Sequence, residues 1–206
     1  MNFISKFSRR DFYFSIITGC ITGFAAWKVL SYLGRPTEFG YSLAWLMVIV
    51  PILWILGVNL GYFLSRWFSF FDQFGKFAAI GFTNAAVYFG ILNILISRTD
   101  YTAGVGYSVI SSISFIVALL VSYILNKYWA FKSDNSQGRG GEFAKFFMVT
   151  VIAFVINVGI ASFVVNNIHP ILGMNVHTWA NIGAVAGSAV ALIFSFVGFR
   201  VAVFKK

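Results

Sequence analysis

Phe74-Gly75-Lys76-Phe77 opens a long apolar run, and Phe143-Ala144-Lys145-Phe146 opens another of the same character. The offset that lays these tetrapeptides together also lays Gly90 on Gly159. At the far end of each stretch, Val117-Ala118-Leu119, Ser122, Lys127, Phe131 and Lys132 fall on Val190-Ala191-Leu192, Ser195, Arg200, Phe204 and Lys205, at an offset four residues larger. Four extra residues therefore sit in the loop inside the second stretch. Apolar matches mean little in so hydrophobic a chain. Glycines, serines and cations are placed sparingly in membrane helices, and their agreement reads as a tandem repeat. Each repeat holds two spans and returns to the side where it starts, so both share one orientation, unlike the inverted repeats of many transporters.

Composition sets the solvent. Of 206 residues, 59% are hydrophobic and 10% charged, with mean hydropathy +0.84, whereas soluble domains carry roughly 25% charged residues. About 20 apolar residues cross a bilayer, and six stretches qualify: Phe12–Tyr32, Tyr41–Phe63, Phe77–Ile96, Tyr107–Asn126, Phe146–Val165 and Thr178–Phe199. The runs are continuous and do not alternate, which favours helices over barrel strands. The expected fold is all-α, a polytopic membrane protein of six helices. Residues 1–73 form an N-terminal hairpin with an interfacial segment, Arg66–Gln73, and residues 74–206 a four-helix domain with repeats 74–132 and 143–205. The polar stretch Lys132–Glu142 reads as the linker between them. Lys6, Arg9 and Arg10 ahead of Phe12–Trp27 also fit a signal peptide, but no small-residue cleavage site precedes Trp27, so this stretch is read as a span.

The net charge of +9 is one-sided. With the N-terminus inside, twelve cations, among them Lys76, Lys127, Lys145 and Arg200, fall on one face, and Lys28, Arg35 and Arg98 at or near the other. This is the positive-inside bias, which predicts a multi-pass protein of the cell membrane with both termini cytoplasmic. The surplus suits anionic lipid head groups and needs no nucleic acid. Cys20, the single cysteine, cannot form an intrachain disulfide. Pro51 removes one backbone bond within the second span. Glycines four apart, at Gly19/Gly23, Gly57/Gly61 and Gly183/Gly187, allow close helix approach, either inside one subunit or along a homodimer seam.

At Ser122-Tyr123-Ile124-Leu125-Asn126-Lys127-Tyr128-Trp129-Ala130-Phe131 the chain resembles the GtrA-like family, small membrane proteins of cell-surface polysaccharide synthesis whose signature is an Asn–basic–aromatic–Trp–Val–Phe run. Lys76-Phe77 followed by Gly81 and Asn84 is similar to the opening of that family's repeat. The resemblance covers about Phe74–Lys206 and leaves out the first two spans. Ser122 stands where members often carry Asn, and Ala130 replaces Val. The second repeat, at Gly198-Phe199-Arg200-Val201-Ala202, keeps the cation and loses both Asn and Trp. The resemblance implies flipping of a polyprenyl-phosphate-linked sugar between leaflets for an outward-facing glycosyltransferase. An alternative role is as a non-catalytic membrane anchor or partner of that enzyme. The family implies no catalytic centre.

The residues themselves suggest the same tasks. Lys76, Lys127, Lys145 and Arg200 stand at the basic ends of the four repeat spans, where cations can bind phosphate or merely anchor helix ends. Asn84, Ser122, Asn126, Asn157 and Ser195, with Asn181 and Ser188, put amides and hydroxyls inside apolar spans, either for sugar hydroxyls or for helix–helix bonds. Tyr128, Trp129 and Phe131 can stack on a sugar ring or form an interfacial belt. No catalytic role is expected. The six acids, Asp11 among them, fall in loops or at span edges, so no intramembrane carboxylate pair offers acid–base chemistry. The same lack argues against a proton-coupled small-solute transporter. His169 and His177 make a weak metal case, and no nucleotide-binding glycine pattern appears, so no cofactor is expected.

Overall fold

The computed structural model describes residues 6–32, 37–38, 41–133, 139–171 and 176–204. Six helices account for nearly all of them: α1 (Arg9–Tyr32), α2 (Leu46–Leu64), α3 (Phe71–Thr99), α4 (Gly104–Leu125), α5 (Arg139–Asn167) and α6 (Val176–Gly198). A 3-10 turn, Leu43–Trp45, leads into α2, and Thr37–Glu38 pairs antiparallel with Tyr41–Ser42. All six spans, from Arg9–Ser31 to Ile182–Val203, are long and apolar enough to cross a membrane. The protein is a multi-pass membrane protein.

The helices outrun the apolar stretches. α3 and α5 each have 29 residues, about 43 Å at 1.5 Å per residue, against a hydrocarbon core of about 30 Å. Hydropathy marks only the part that must be dry, while polar residues such as Gln73 and Glu142 extend the helix outward. α5 accordingly begins at Arg139, inside the stretch read as a linker; the rest of that reading, 134–138, lies outside the described residues. Asp100 ends α3 in the left-handed region (φ 56°), donating its N–H to the Ile96 carbonyl at 2.8 Å.

Contacts group the chain into two units, 1–132 and 133–206. In the first, α1, α2, α3 and α4 pack together. α1 and α2 approach so closely that a Cβ on Gly19 would lie 2.5 Å from Pro51 Cα, and one on Gly23 would strike the Leu46 carbonyl. α4 runs on into a five-residue π turn, Asn126–Ala130, in which the Phe131 N–H reaches back to the Asn126 carbonyl at 2.9 Å. The second unit is the hairpin α5–α6, closing in another five-residue π turn, Phe199–Val203, with Phe204 N–H bonded to Phe199 O at 2.8 Å. Here too small residues admit a close crossing, because a Cβ on Gly187 would meet Asn157 of α5. Trp179 bridges the same hairpin, its Nε1 donating to the Ile168 carbonyl at 2.9 Å.

Candidate functional site

In the first unit the start of α1, the end of α2, the start of α3 and the π turn after α4 meet at one end, and Asp11 lies at the junction. Its side chain is 0% exposed. Ser8 and Asp11 first serve the helix itself. The Ser8 hydroxyl accepts from Asp11 N–H at 3.2 Å, and Ser8 N–H donates back to Asp11 Oδ2 at 3.1 Å, a reciprocal cap on the first turn. Three other elements then converge on the same carboxylate. Lys76 Nζ of α3 lies 2.9 Å from Oδ1, and Trp129 Nε1 of the π turn donates to Oδ1 at 3.2 Å. Tyr62 Oη of α2 donates to Oδ2 at 2.7 Å, as does the Ser8 hydroxyl at 2.7 Å. The Lys76 ammonium also stands 4.9 Å from the Tyr62 ring centre. A buried carboxylate with so many donors is held in place, since removing one charge would leave the other stranded.

The π turn is gripped by α1 at two further points. Arg10 donates to the Tyr128 carbonyl, one of the last acceptors of the helix. Phe14 stacks on Trp129 at 5.5 Å and 13°, and Phe131, just beyond the turn, packs edge-on against Phe77 of α3 at 6.2 Å. Trp129 is 0% and Phe131 2% exposed, so of the three aromatics read as sugar platforms only Tyr128, at 45%, presents a face. Asn126 and Lys127, on the same turn, are both buried. Asn126 Nδ2 donates to the Ser122 carbonyl at 2.9 Å and the Ser122 hydroxyl at 3.3 Å, while its Oδ1 is buried with no partner. The Lys127 ammonium sits between Tyr123 and Tyr128, 5.7 and 6.0 Å from their ring centres. The structure thus groups Ser122, Asn126 and Lys127, and ties Lys76 and Trp129 to Asp11. Asn84 stands apart, half-buried with Oδ1 unpartnered.

Above Asp11 the buried face of α1 stays polar. Ser15, Thr18 and Thr22 follow at helical spacing, all buried. Thr22 Oγ1 donates to Thr83 Oγ1 of α3 at 3.0 Å, and Trp54 Nε1 of α2 approaches the same hydroxyl at 3.4 Å.

The second unit has a different interior at its π turn. Phe146, Phe199 and Phe204 form an aromatic trio, with Phe146 stacked on Phe199 at 4.5 Å. Lys145 is exposed and Arg200 half-buried, and among the described residues neither forms an ion pair. Asn157 Nδ2 reaches the Ser188 hydroxyl at 3.3 Å. Ser195 returns its hydroxyl to the Ala191 carbonyl at 2.7 Å, which satisfies it within its own helix. Asn181 lies outside the side chains described, and His177 belongs to α6 and not to a loop. Among the described residues no three His, Cys, Asp or Glu gather as a metal would require.

Asp11, the centre of this cluster, is placed by sequence reasoning only at a span edge. Two signals mark it: Ser8-Arg9-Arg10-Asp11 has the spacing of a capping box ahead of an apolar run, and Asp11, Ser15, Thr18 and Thr22 recur on one helix face.

Comparison with known proteins gives one family. The model for the GtrA/DPMS transmembrane domain matches residues 76–204, from Lys76 in the Asp11 cluster to the end of the second π turn. No curated protein and no solved structure matches the chain.

Proposed function

Because this chain belongs to the GtrA/DPMS transmembrane-domain family, whose membership fits a role in handling lipid-linked sugars, we propose that it moves a polyprenyl-phosphate-linked sugar across the cell membrane. The observation that carries this reading is Asn126 Oδ1, a buried acceptor with no donor, beside a buried lysine at the basic end of a span. Buried amides are nearly always satisfied, and a sugar hydroxyl supplies the donor that Asn126 lacks. The phosphate is drawn to Lys127, and Tyr128 offers its exposed ring to the sugar face. The prenyl tail stays in the bilayer. An apolar groove of about 290 Å³, lined by residues including Gly57, Leu60, Phe74 and Phe82, runs along α2 and α3 of the same unit.

In this reading both termini are cytoplasmic, as the charge bias demands, and the lipid enters from that side. The proposal includes no chemical step: movement equilibrates the lipid between leaflets, and its consumption on the far side draws the flux. Headgroup accessibility of a polyprenyl-phosphate-sugar in sealed liposomes tests it. Wild type should expose the inner-leaflet pool, Asn126→Ala should do so slowly, and empty vesicles not at all. If wild type matches empty vesicles across several sugars, the chain instead anchors or positions a glycosyltransferase. An anchor tolerates Asn126→Ala and fails when its enzyme no longer binds.

A further inference from the structure

We infer that the first turn of α1 is a positioning element for the headgroup site, with Asp11 as its central residue. This rests on reading Asn126 and Lys127 as headgroup ligands. Three residues at the start of α1, Arg10, Asp11 and Phe14, act on two adjacent residues of the π turn, Tyr128 and Trp129. They hold it by its backbone, its indole N–H and its indole face, which together restrain translation, rotation and twist. The restrained segment also carries Asn126 and Lys127, and ligand groups must be held to about half an ångström to be effective.

Stability alone gives no reason for this design. Replacing a buried ion pair by apolar side chains of similar volume is often neutral or stabilising, so the charges themselves need not be kept for stability. The carboxylate does what an apolar pair cannot, because it fixes the orientation of Trp129 through Nε1 and of Lys76 through Nζ simultaneously. It also keeps the Lys76 ammonium on protein. The family match begins at Lys76, so the carboxylate comes from outside the matched domain. The N-terminal hairpin is thereby part of the site.

The test uses the full-length chain with the paired replacement Asp11→Leu/Lys76→Met, and Arg10→Met, which removes a contact made by an exposed side chain. Two readouts are taken. The first is affinity for farnesyl phosphate in detergent. The second is the rate at which a charged thiol reagent labels Lys127→Cys in a Cys20→Ser background, with thermal unfolding as control. We expect the double variant to fold but to unfold at a lower temperature, because Trp129 Nε1, Tyr62 Oη and Ser8 lose their acceptor, to bind farnesyl phosphate about tenfold more weakly, as loss of an outer supporting contact does elsewhere, and to label at a changed rate. Wild-type affinity together with unchanged labelling in the folded double variant overturns the proposal. If wild type itself fails to bind farnesyl phosphate, the headgroup reading falls, and labelling alone decides whether α1 positions the turn. If the double variant does not fold, the same two readouts on Arg10→Met decide the proposal by the same criteria.

Discussion

Lys76 and Lys145 open the two helix pairs at matching places in the sequence, yet one is 4% exposed against a carboxylate and the other is exposed, with no ion pair among the described residues. The contrast continues along both helices. Thr83 of α3 is fully buried, whereas Ile152, its counterpart at the same offset on α5, is 43% exposed. A Cβ on Gly90 would press on Ala25 of α1 at 3.3 Å, while one on Gly159 would meet nothing within 4 Å. The π turns differ in the same sense, with Asn126, Lys127 and Trp129 in the first and Phe199, Arg200 and Ala202 in the second. Where the N-terminal hairpin meets the start of α3, the contact centres on a buried ion pair and its hydrogen bonds; at the corresponding end of α5–α6, Phe146, Phe199 and Phe204 pack together. Helix pairs with matching sequence positions thus have different surroundings, and the buried ion pair lies in the unit that includes the N-terminal hairpin.

Breaking the ion pair should show the contrast most strongly. Asp11→Ala strands the Lys76 ammonium in a dry site and should destabilise the first unit by about 3–5 kcal/mol. Lys145→Ala should leave thermal unfolding in detergent unchanged. Equal sensitivity at the two lysines would dissolve the comparison.

Trp129→Phe is the next largest. It keeps a ring against Phe14 but deletes the donor to Asp11 Oδ1, and a hydrogen bond to a charged group is worth about 1.5–3 kcal/mol. Amide exchange should accelerate around Asn126–Ala130 and stay as it was around Phe199–Val203, where Ala202 holds no such bond. Lys127→Met should then weaken binding of the lipid phosphate about tenfold, equivalent to about 1.4 kcal/mol. Arg200→Met should change it less than about twofold on the same scale, because its turn offers no amide beside the cation. Equal losses would mean that both halves bind phosphate and that the polar asymmetry serves folding alone.

Much of this architecture is legible in the sequence. Continuous apolar runs mark the six spans, and Asn126-Lys127-Tyr128-Trp129 marks the turn whose geometry proves unusual, because amides and cations are rare at such depth. The π conformation itself is not legible, since Asn126–Ala130 and Phe199–Val203 both adopt it with different residues. Trp129 reads as an interfacial or sugar-stacking ring because hydropathy cannot tell a ring facing lipid from one covered by another helix. Asp11 is the residue most misjudged by sequence. A single acid at a span edge reads as a solvated end, and only the approach of α2, α3 and the π turn, distant in sequence, converts it into the centre of a buried cluster. Each of these differences arises where a residue's environment is supplied by a remote segment.

The smallest expected effect probes how far that closure extends along α1. Thr83→Val preserves shape and deletes the hydroxyl that accepts from Thr22 and lies within reach of Trp54. In water, stranding two buried donors would be severe. Inside a membrane the measured worth of an interhelical hydrogen bond averages about 0.6 kcal/mol, and Thr22 can still donate to the Thr18 carbonyl of its own helix, 2.8 Å away. We therefore expect a loss near the detection limit of a thermal melt. Ile152→Val, at the matching place on α5, should give no loss at all. A loss several times larger at Thr83 would mean that the polar face of α1 works as one connected unit with Asp11, so that the hairpin is locked along its length. A loss at the expected size confines the lock to the first turn, where the carboxylate is, and leaves the remainder of α1 as an ordinary packed helix.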